Sequence, residues 1–239
     1  MSRSTLRPES LPGGRLARAA QAAPTDAPAG KGAKGAKTAR GAKKGAASDA
    51  PALAKGTGEI RIIGGQWKRT RLTVAQRPGL RPTPDRVRET LFNWLGQDLT
   101  GWRCIDAFAG TGALGLEAAS RGAAAVQLVE SDVALVAQLH TLQQRLKATA
   151  VRVQRGDGVA ALKQAAPASL DLVLLDPPFE GALYEPALQA AARALAPSGF
   201  IYLEAPTAYD ETQLAPLGLV LFRHLKAGAV HAHLLRPAV

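Results

Sequence analysis

The stretch Cys104-Ile-Asp-Ala-Phe-Ala-Gly-Thr-Gly-Ala-Leu-Gly115 brings an apolar run, a carboxylate and three glycines into close succession. The apolar residues 104–108 predict a buried strand, and residues 113–121 predict a helix. A G-x-G-x-x-G spacing between a strand and a helix is typical of nucleotide-binding loops, because glycine lets the ligand approach the backbone closely. The stretch therefore predicts a strand–loop–helix unit that binds a nucleotide-type ligand.

The chain then continues to alternate strand-like and helix-like segments. Strands are predicted at residues 126–130, 151–154, 170–175 and 200–203, and helices at residues 132–147, 159–165 and 185–196. Strands separated by helices form parallel sheets. Two later strands, at residues 219–225 and 230–235, flank a short loop that contains glycine, which predicts an antiparallel hairpin. We therefore expect an α/β fold, Rossmann-like, with a mostly parallel sheet of seven strands, helices on both faces and a C-terminal antiparallel hairpin.

Acidic residues follow successive predicted strands: Asp106, Glu130, Asp157 and Asp176. In open parallel sheets, ligands bind beyond the carboxyl ends of the strands. A carboxylate at Asp106 would repel a pyrophosphate but attract the ammonium of a methionine group. Glu130 can accept hydrogen bonds from ribose hydroxyls, and Asp157 from an adenine amine, with helix capping as the alternative role for Asp157. The set favours S-adenosylmethionine (SAM) as cofactor over NAD.

The fourth strand of this sheet ends in a second motif, Leu172-Val-Leu-Leu-Asp-Pro-Pro-Phe179. Pro177 and Pro178 fix φ at about −65° and remove two backbone donors, so the exit from the strand is stiff. Asp176 and free carbonyls can accept hydrogen bonds from a flat group that carries N–H, and Phe179 can stack on it. These four residues are the predicted catalytic loop. An ordinary turn after a strand is the alternative interpretation.

Positive charge is concentrated early in the chain. Residues 1–58 contain 11 Lys and Arg against 3 Asp and Glu, whereas residues 59–239 contain 19 against 16. Because residues 1–58 are low in complexity and rich in Ala, Gly, Pro and Lys, we predict a disordered basic tail. Basicity in one region indicates a polyanionic partner, with a solubilising tail as the alternative. Residues 101–239 form the predicted ligand-binding domain.

Residues 59–100 predict a small extension that precedes this domain. Strands at 59–63 and 66–74 flank Gly64-Gly65 as a hairpin, and a helix follows with Thr83 as its N-cap and Pro84 at its first position. A buried helical stripe is predicted at Val87, Leu91 and Trp94 or Leu95. The basic and aromatic residues of the extension favour an RNA-facing surface, with a solvated polar face as the alternative: Trp67, Lys68, Arg69, Arg81, Arg86 and Arg88.

Several classes of protein are excluded by composition. A single cysteine, Cys104, rules out an internal disulfide and a Cys-based zinc site. The four histidines lack ligand spacing, so we predict no metal site. No apolar run approaches the roughly 20 residues that span a bilayer, and the first residues lack the apolar core of a signal peptide. We expect a cytoplasmic protein without membrane contacts.

Both motifs resemble those of a known class of enzymes. The segment 106–115 resembles motif I of class I SAM-dependent methyltransferases, and Asp176-Pro-Pro-Phe179 resembles their (D/N)-P-P-(Y/F) motif for methylating nitrogens. More narrowly, three segments resemble the RsmD family: Arg61-Ile-Ile-Gly-Gly-Gln-Trp-Lys68, Leu80-Arg-Pro-Thr-Pro-Asp-Arg-Val-Arg-Glu-Thr-Leu-Phe-Asn-Trp94 and Phe108-Ala-Gly-Thr-Gly-Ala-Leu-Gly-Leu-Glu-Ala118. The resemblance runs from about residue 60 to the end and leaves out the basic tail.

That resemblance implies a monomeric class I methyltransferase that transfers a methyl group from SAM to guanine N2 in bacterial 16S rRNA, as naked rRNA or in the 30S subunit or an assembly intermediate. It implies a cofactor site of Asp106, Phe108, Gly110, Gly112, Glu130 and Asp157. It also implies that Arg81 and Thr83 contact RNA.

Three alternatives stay open at this point. An adenine-N6 methyltransferase acting on RNA or DNA would use the same four-residue loop, and only the resemblance of the N-terminal segments favours guanine. An NAD(P)-dependent oxidoreductase shares the glycine pattern, but Asp106 and the catalytic loop oppose it. A non-catalytic RNA-binding module is opposed by the intact acidic set.

Overall fold

A computed structural model describes residues 58–74, 83–178 and 182–238 of the chain. The tail before residue 58, together with Arg81 and Phe179, lies outside these residues. The strands are β1 Gly58–Arg61, β2 Arg71–Val74, β3 Arg103–Asp106, β4 Ala125–Glu130, β5 Val151–Arg155, β6 Leu170–Leu175, β7 Leu195–Ala205, β8 Leu219–Ala227 and β9 Val230–Pro237. The helices are α1 Asp85–Trp94, α2 Ala113–Ser120, α3 Val133–Arg145, α4 Gly158–Gln164, α5 Tyr184–Ala194 and α6 Glu211–Leu214.

Strands β3 to β9 form one seven-stranded sheet in the order β5-β4-β3-β6-β7-β9-β8. Pairs from β5 through β7 are parallel, and β9 pairs antiparallel with both β7 and β8. This arrangement confirms the predicted fold class. The chain winds outward from β3 first toward β5 and then, through β6, in the other direction. Such a reversal opens a crevice beyond the carboxyl ends of β3 and β6, where ligands of this fold class bind.

Helices cover both faces of the sheet because its strands are apolar on both sides. On one face, Leu91 of α1, Leu116 of α2 and Leu139 of α3 belong to one buried cluster. On the other face, Leu162 of α4 and Leu188 of α5 belong to a second cluster. The residues of β6 alternate between the two clusters, and β6 ends at the crevice. Within the described part of the chain, no helix is long and apolar enough to cross a membrane.

The extension formed by β1, β2 and α1 differs from its prediction in two places. The return strand is only Arg71–Val74, and the residues before it form a turn in which Arg69 N–H donates to Ile62 O. The N-cap of α1 is Pro84, and no side chain caps this helix. Thr83 does not cap it because the Thr83 hydroxyl is committed elsewhere, donating to Glu204 of β7 at 2.7 Å.

A buried ionic network fastens the extension to α2. Glu117, which is fully buried, accepts hydrogen bonds from the N–H groups of Ile63 and Gly64, each at 2.7 Å. Its carboxylate also contacts Arg88 at 3.4 Å and Arg121 at 2.8 Å. The prediction of a surface position for Arg88 is therefore wrong: this guanidinium is fully buried, because Glu117 and three further acceptors satisfy its donors: Arg61 O, Thr83 O and Asp85 Oδ1.

The turn beside this network requires glycine at residue 65. Gly65 has φ +71°, and a Cβ atom at this position would lie 1.8 Å from Ser120 O. Gln66 N–H donates to the same carbonyl at 2.8 Å. The backbone of the extension therefore lies directly against the last residue of α2, in a conformation and at a distance that only glycine permits.

Candidate active site

The predicted acidic residues lie at one rim of the sheet. Asp106, Glu130 and Asp176 stand at or directly after the ends of β3, β4 and β6, and Asp157 lies two residues beyond β5. Because these strands are parallel neighbours, their carboxyl ends share one edge. The tertiary structure thus brings together four side chains that are up to 70 positions apart in the chain.

The glycine-rich loop between β3 and α2 is held by one of these carboxylates. Gly110 N–H donates to Glu130 Oε2 at 2.8 Å, and Gly110 and Gly112 have positive φ angles of 52° and 79°. The second Glu130 oxygen accepts Asp132 N–H at 2.8 Å. Glu130 therefore sets the shape of the loop, and any ribose contact would have to share its oxygens with these backbone groups.

Asp106 is enclosed beneath the loop, with only 1% of its surface exposed. It accepts a hydrogen bond from Gly115 N–H at 2.9 Å, at the start of α2. Burial raises its pKa from 3.8 to about 7, partly offset by the hydrogen bond from Gly115, and the charge of Glu130 raises it further. A carboxylate held in this way gains strongly from a nearby cation.

The Asp106→Asn variant should separate stability from cofactor affinity. The raised pKa of Asp106 means that its neutral form stabilises the free protein below about pH 4, and that this contribution is lost as the pH rises toward 7. Between about pH 4 and pH 7, the free energy of unfolding falls by roughly 4 kcal/mol for this reason. Thermal unfolding at pH 5 and pH 8 should therefore show that the Tm of the variant, relative to that of wild type, is higher at pH 8 than at pH 5. The variant should also bind SAM more weakly than wild type. Parallel pH profiles for the two proteins would contradict this assignment.

Asp157 serves as the N-cap of α4. Its Oδ1 accepts Ala160 N–H at 2.6 Å, and the residue is exposed. Helix capping, the alternative role for Asp157, is thus present in the structure. Its contact with an adenine amine stays a prediction. Next to it, a Cβ atom on Gly158 would lie 2.1 Å from Ala107 O. The start of α4 therefore packs directly against the backbone that follows β3.

Asp176 lies at the crevice, partly exposed, followed by a buried Pro177 and an exposed Pro178. Desolvation, together with the charges of Glu204 and Asp106, raises the pKa of Asp176 well above its ordinary value. Three carboxyl groups therefore share one poorly solvated region. Like charges in such a region destabilise the protein when no ligand is bound there, and they favour a cationic or N–H-rich ligand.

Glu204, the third of these carboxyl groups, was missed by the sequence analysis. It is 4% exposed, and its Oε1 accepts hydrogen bonds from Thr83 at 2.7 Å and Tyr202 at 2.8 Å. Burial raises the pKa of Glu204 although these hydrogen bonds lower it. The apolar pattern predicts that this strand stops at residue 203, one position short of Glu204. Treating Glu204 like the other carboxylates that follow apolar runs would have found it.

Comparisons with known proteins agree with this geometry. The family model described as Conserved hypothetical protein 95 matches residues 60–236. Ribosomal RNA small subunit methyltransferase D of Escherichia coli is 43% identical over 177 residues, covering 73% of this chain and 88% of that protein. The protein of the same name from Haemophilus influenzae is 39% identical over 178 residues, covering 72% and 91%. The chain belongs to the RsmD family.

Solved structures agree with this membership. The putative methyltransferase yhhF from Escherichia coli superposes with a TM-score of 0.66 at 42% identity, over 75% of this chain and 98% of that one. A putative methylase from Haemophilus influenzae gives a TM-score of 0.63 at 34% identity, over 76% and 100%. The RsmD-family match therefore spans the extension and the sheet together, and it leaves out the early basic tail.

In this RsmD-family chain, the predicted RNA-facing residues are spread over the extension. Trp67, Lys68 and Arg69 lie at the far end of α2, where Trp67 N–H donates to Ser120 Oγ at 2.9 Å. Since α2 is about 12 Å long, these residues stand away from the glycine loop at its other end. Arg86 is exposed on α1. Among the members of this set that the structure describes, Thr83 reaches the acidic rim, through its hydrogen bond to Glu204.

Three of the four histidines of this RsmD-family chain come together, although their spacing in the sequence gave no sign of it. The ligand atoms of His224, His231 and His233 lie within 4.8 Å of one another. His233 is fully buried: one ring nitrogen contacts Leu203 O at 3.2 Å, and the other accepts Tyr209 N–H at 3.0 Å. With both nitrogens occupied, His233 has no lone pair for a metal and instead anchors the loop after β7.

Proposed function

We propose that this chain transfers a methyl group from SAM to the exocyclic N2 of a guanine in 16S rRNA of the small ribosomal subunit. The observation that carries the proposal is the position of Asp176. This carboxylate follows β6 at the mouth of the crevice, beside the glycine loop, and has Asp106 and Glu204 as neighbours. Membership of the RsmD family, whose curated relatives are named as small-subunit rRNA methyltransferases, supports the substrate.

The residues present fit SAM better than a phosphorylated cofactor. SAM carries an ammonium, a sulfonium, a ribose and an adenine, and the rim offers carboxylates where a pyrophosphate would need donors. The residues that would hold it are those of the glycine loop and the acidic strand ends: Asp106, Phe108, Gly110, Gly112, Glu130 and Asp157. When bound, SAM supplies a methyl group that its sulfonium makes strongly electrophilic.

The catalytic loop activates the amine by hydrogen bonding. Guanine N2 is a poor nucleophile because its lone pair is delocalised into the ring. Asp176 and the Pro177 carbonyl accept hydrogen bonds from the two N–H groups of the amine. These hydrogen bonds localise the lone pair on N2, and Asp176 takes the departing proton. Phe179 stacks on the base, an interaction worth roughly 1–3 kcal/mol. Pro178 stiffens the loop, and positioning supplies much of the rate acceleration.

The target guanine must leave its stack to reach this loop, as in other enzymes that modify bases. We infer that Trp67, Lys68, Arg69, Arg81 and Arg86 contact the surrounding RNA and that Thr83 helps to form the pocket through Glu204. Cationic side chains of this kind bind phosphates without reading sequence. The proposal includes a monomeric enzyme in the cytoplasm that acts on 16S rRNA, as naked rRNA or within the 30S subunit or an assembly intermediate.

The decisive measurement is transfer of a tritiated methyl group from SAM to 30S subunits, naked 16S rRNA and DNA, followed by nucleoside analysis. The expected product is N2-methylguanosine in 16S rRNA. Methyladenosine as the only product would contradict the guanine assignment. In parallel, SAM and not NADH should raise the Tm, because an occupied site stabilises the folded state by mass action. A rise with NADH alone would favour the oxidoreductase.

A further inference from the structure

One polar atom near the crevice is not explained by the reaction above. Tyr184 is the first residue of α5, and its hydroxyl oxygen is shielded from solvent without a hydrogen-bond partner. Among the described residues, it is the one buried side-chain polar atom without a partner. A buried hydroxyl without a partner destabilises a protein by about 1–3 kcal/mol. Such a group is expected where a ligand completes the hydrogen bond.

The other two tyrosines of the chain differ in this respect. The Tyr202 hydroxyl donates to Glu204 at 2.8 Å. Tyr209 is held through its backbone N–H by His233, whose ring it meets edge-on at 5.7 Å. The backbone N–H and the ring of Tyr209 therefore have a structural role that does not involve its hydroxyl. Within the described part of the chain, the Tyr184 hydroxyl has neither a hydrogen-bond partner nor a structural role of its own.

Tyr184 packs against the same hydrophobic cluster as Phe108, which lies in the glycine loop. Burial, followed by the charge of Asp176 and then those of Tyr209 and Glu204, raises the pKa of Tyr184 to about 12. The phenol therefore keeps its proton at neutral pH and can donate a hydrogen bond. Tyr184 thus offers a donor in the region where Asp176 offers an acceptor.

This pairing matches one edge of guanine. The exocyclic N2 amine is a donor, and the adjacent ring nitrogen N3 is an acceptor. We propose that the Tyr184 hydroxyl donates a hydrogen bond to N3 of the target guanine while Asp176 accepts from N2. The inference rests on the proposed function and adds a substrate-contacting residue beyond the catalytic loop. In the complex, the hydroxyl gains the partner that it lacks in the free protein.

The test is the Tyr184→Phe variant, which removes only the hydroxyl. With 30S subunits or 16S rRNA as substrate, kcat/KM for RNA should fall roughly tenfold, the effect of about 1.4 kcal/mol. The Kd for SAM should stay unchanged, and the Tm should stay equal or rise because an unpaired hydroxyl has been removed. Tyr209→Phe is the matched control, with wild-type kinetics expected because its anchoring N–H is retained.

Three results would overturn the inference, and they are distinguishable. If wild type produces N2-methylguanosine and Tyr184→Phe matches its kcat/KM, the proposed function stands and the role of Tyr184 is wrong. If wild type methylates no guanine, the proposed function fails, and the contact with N3 fails with it. A lower Tm with a parallel loss of SAM affinity would mark Tyr184 as structural and would also contradict the proposal.

Discussion

Replacing Asp176 with alanine should lower kcat for methyl transfer to 16S rRNA by roughly 10³-fold while the protein still binds SAM. The variant loses the carboxylate that localises the lone pair of the amine and accepts its proton. Because desolvation and the charges of Glu204 and Asp106 raise the pKa of Asp176, the substitution should also leave Tm unchanged or higher. Single-turnover methyl transfer, SAM titration and thermal unfolding measure the three effects separately.

The Asp176→Asn variant serves as the matched control. Asparagine keeps an acceptor oxygen for the N–H of the substrate but is a poor proton acceptor. The motif that this loop resembles has either Asp or Asn at this position. We therefore expect activity between those of wild type and Asp176→Ala. Near-normal transfer by Asp176→Ala with SAM binding intact would show that another group activates the amine and would contradict the proposed mechanism.

The largest effect on stability is expected at Glu117. Glu117→Ala leaves Arg88, which is fully buried, without one of its carboxylate partners, and it strips the acceptor from the N–H groups of Ile63 and Gly64. Breaking a buried ion pair by removing one partner costs about 3–5 kcal/mol. For a folded region of this size, we expect Tm to fall by roughly 6–20 °C. Calorimetry or circular dichroism would measure the change.

Glu59→Ala is the matched control for this prediction. It removes an exposed ion pair with Arg71, with N and O atoms 3.0 Å apart, and such pairs contribute less than about 1 kcal/mol. Hydrogen exchange should further show that Glu117→Ala loosens β1 and the turn at residues 62–70 before the sheet, because these segments depend on the Glu117 carboxylate. Equal shifts in Tm for the two variants would mean that the buried network contributes no more than a surface pair.

Much of the fold could be predicted because its signals are local. Apolar runs of four to six residues, helical spacing and glycines between them fix most strands and helices within a few residues of the observed bounds. Strand β7 is an exception, because it begins at Leu195, five residues before the predicted start. Other errors lie in the extension, where β2 is shorter than predicted and Thr83 does not cap α1. There the backbone and side chains bind to distant partners in α2 and β7, and these contacts override local preference.

The candidate site divides along the same line. Asp106 and Asp176 could be placed at strand ends because a parallel sheet brings such ends to one edge. The hydrogen bond that holds Glu204 could not be predicted from local sequence, since its partner Thr83 is 121 positions away. Likewise, the burial of Arg88 depends on Glu117, which is 29 positions away.

The sequence by itself thus determined the alternation of strands and helices, the glycine loop and the acidic rim. The physical reason is that apolar periodicity and backbone freedom act over a few residues. Only the tertiary structure decided which polar groups share one desolvated space. It placed Glu204 near Asp176, gathered three histidines on the β8–β9 hairpin, and left the Tyr184 hydroxyl without a partner. These outcomes depend on packing between distant segments, because burial sets both the pKa of a group and its need for a hydrogen bond.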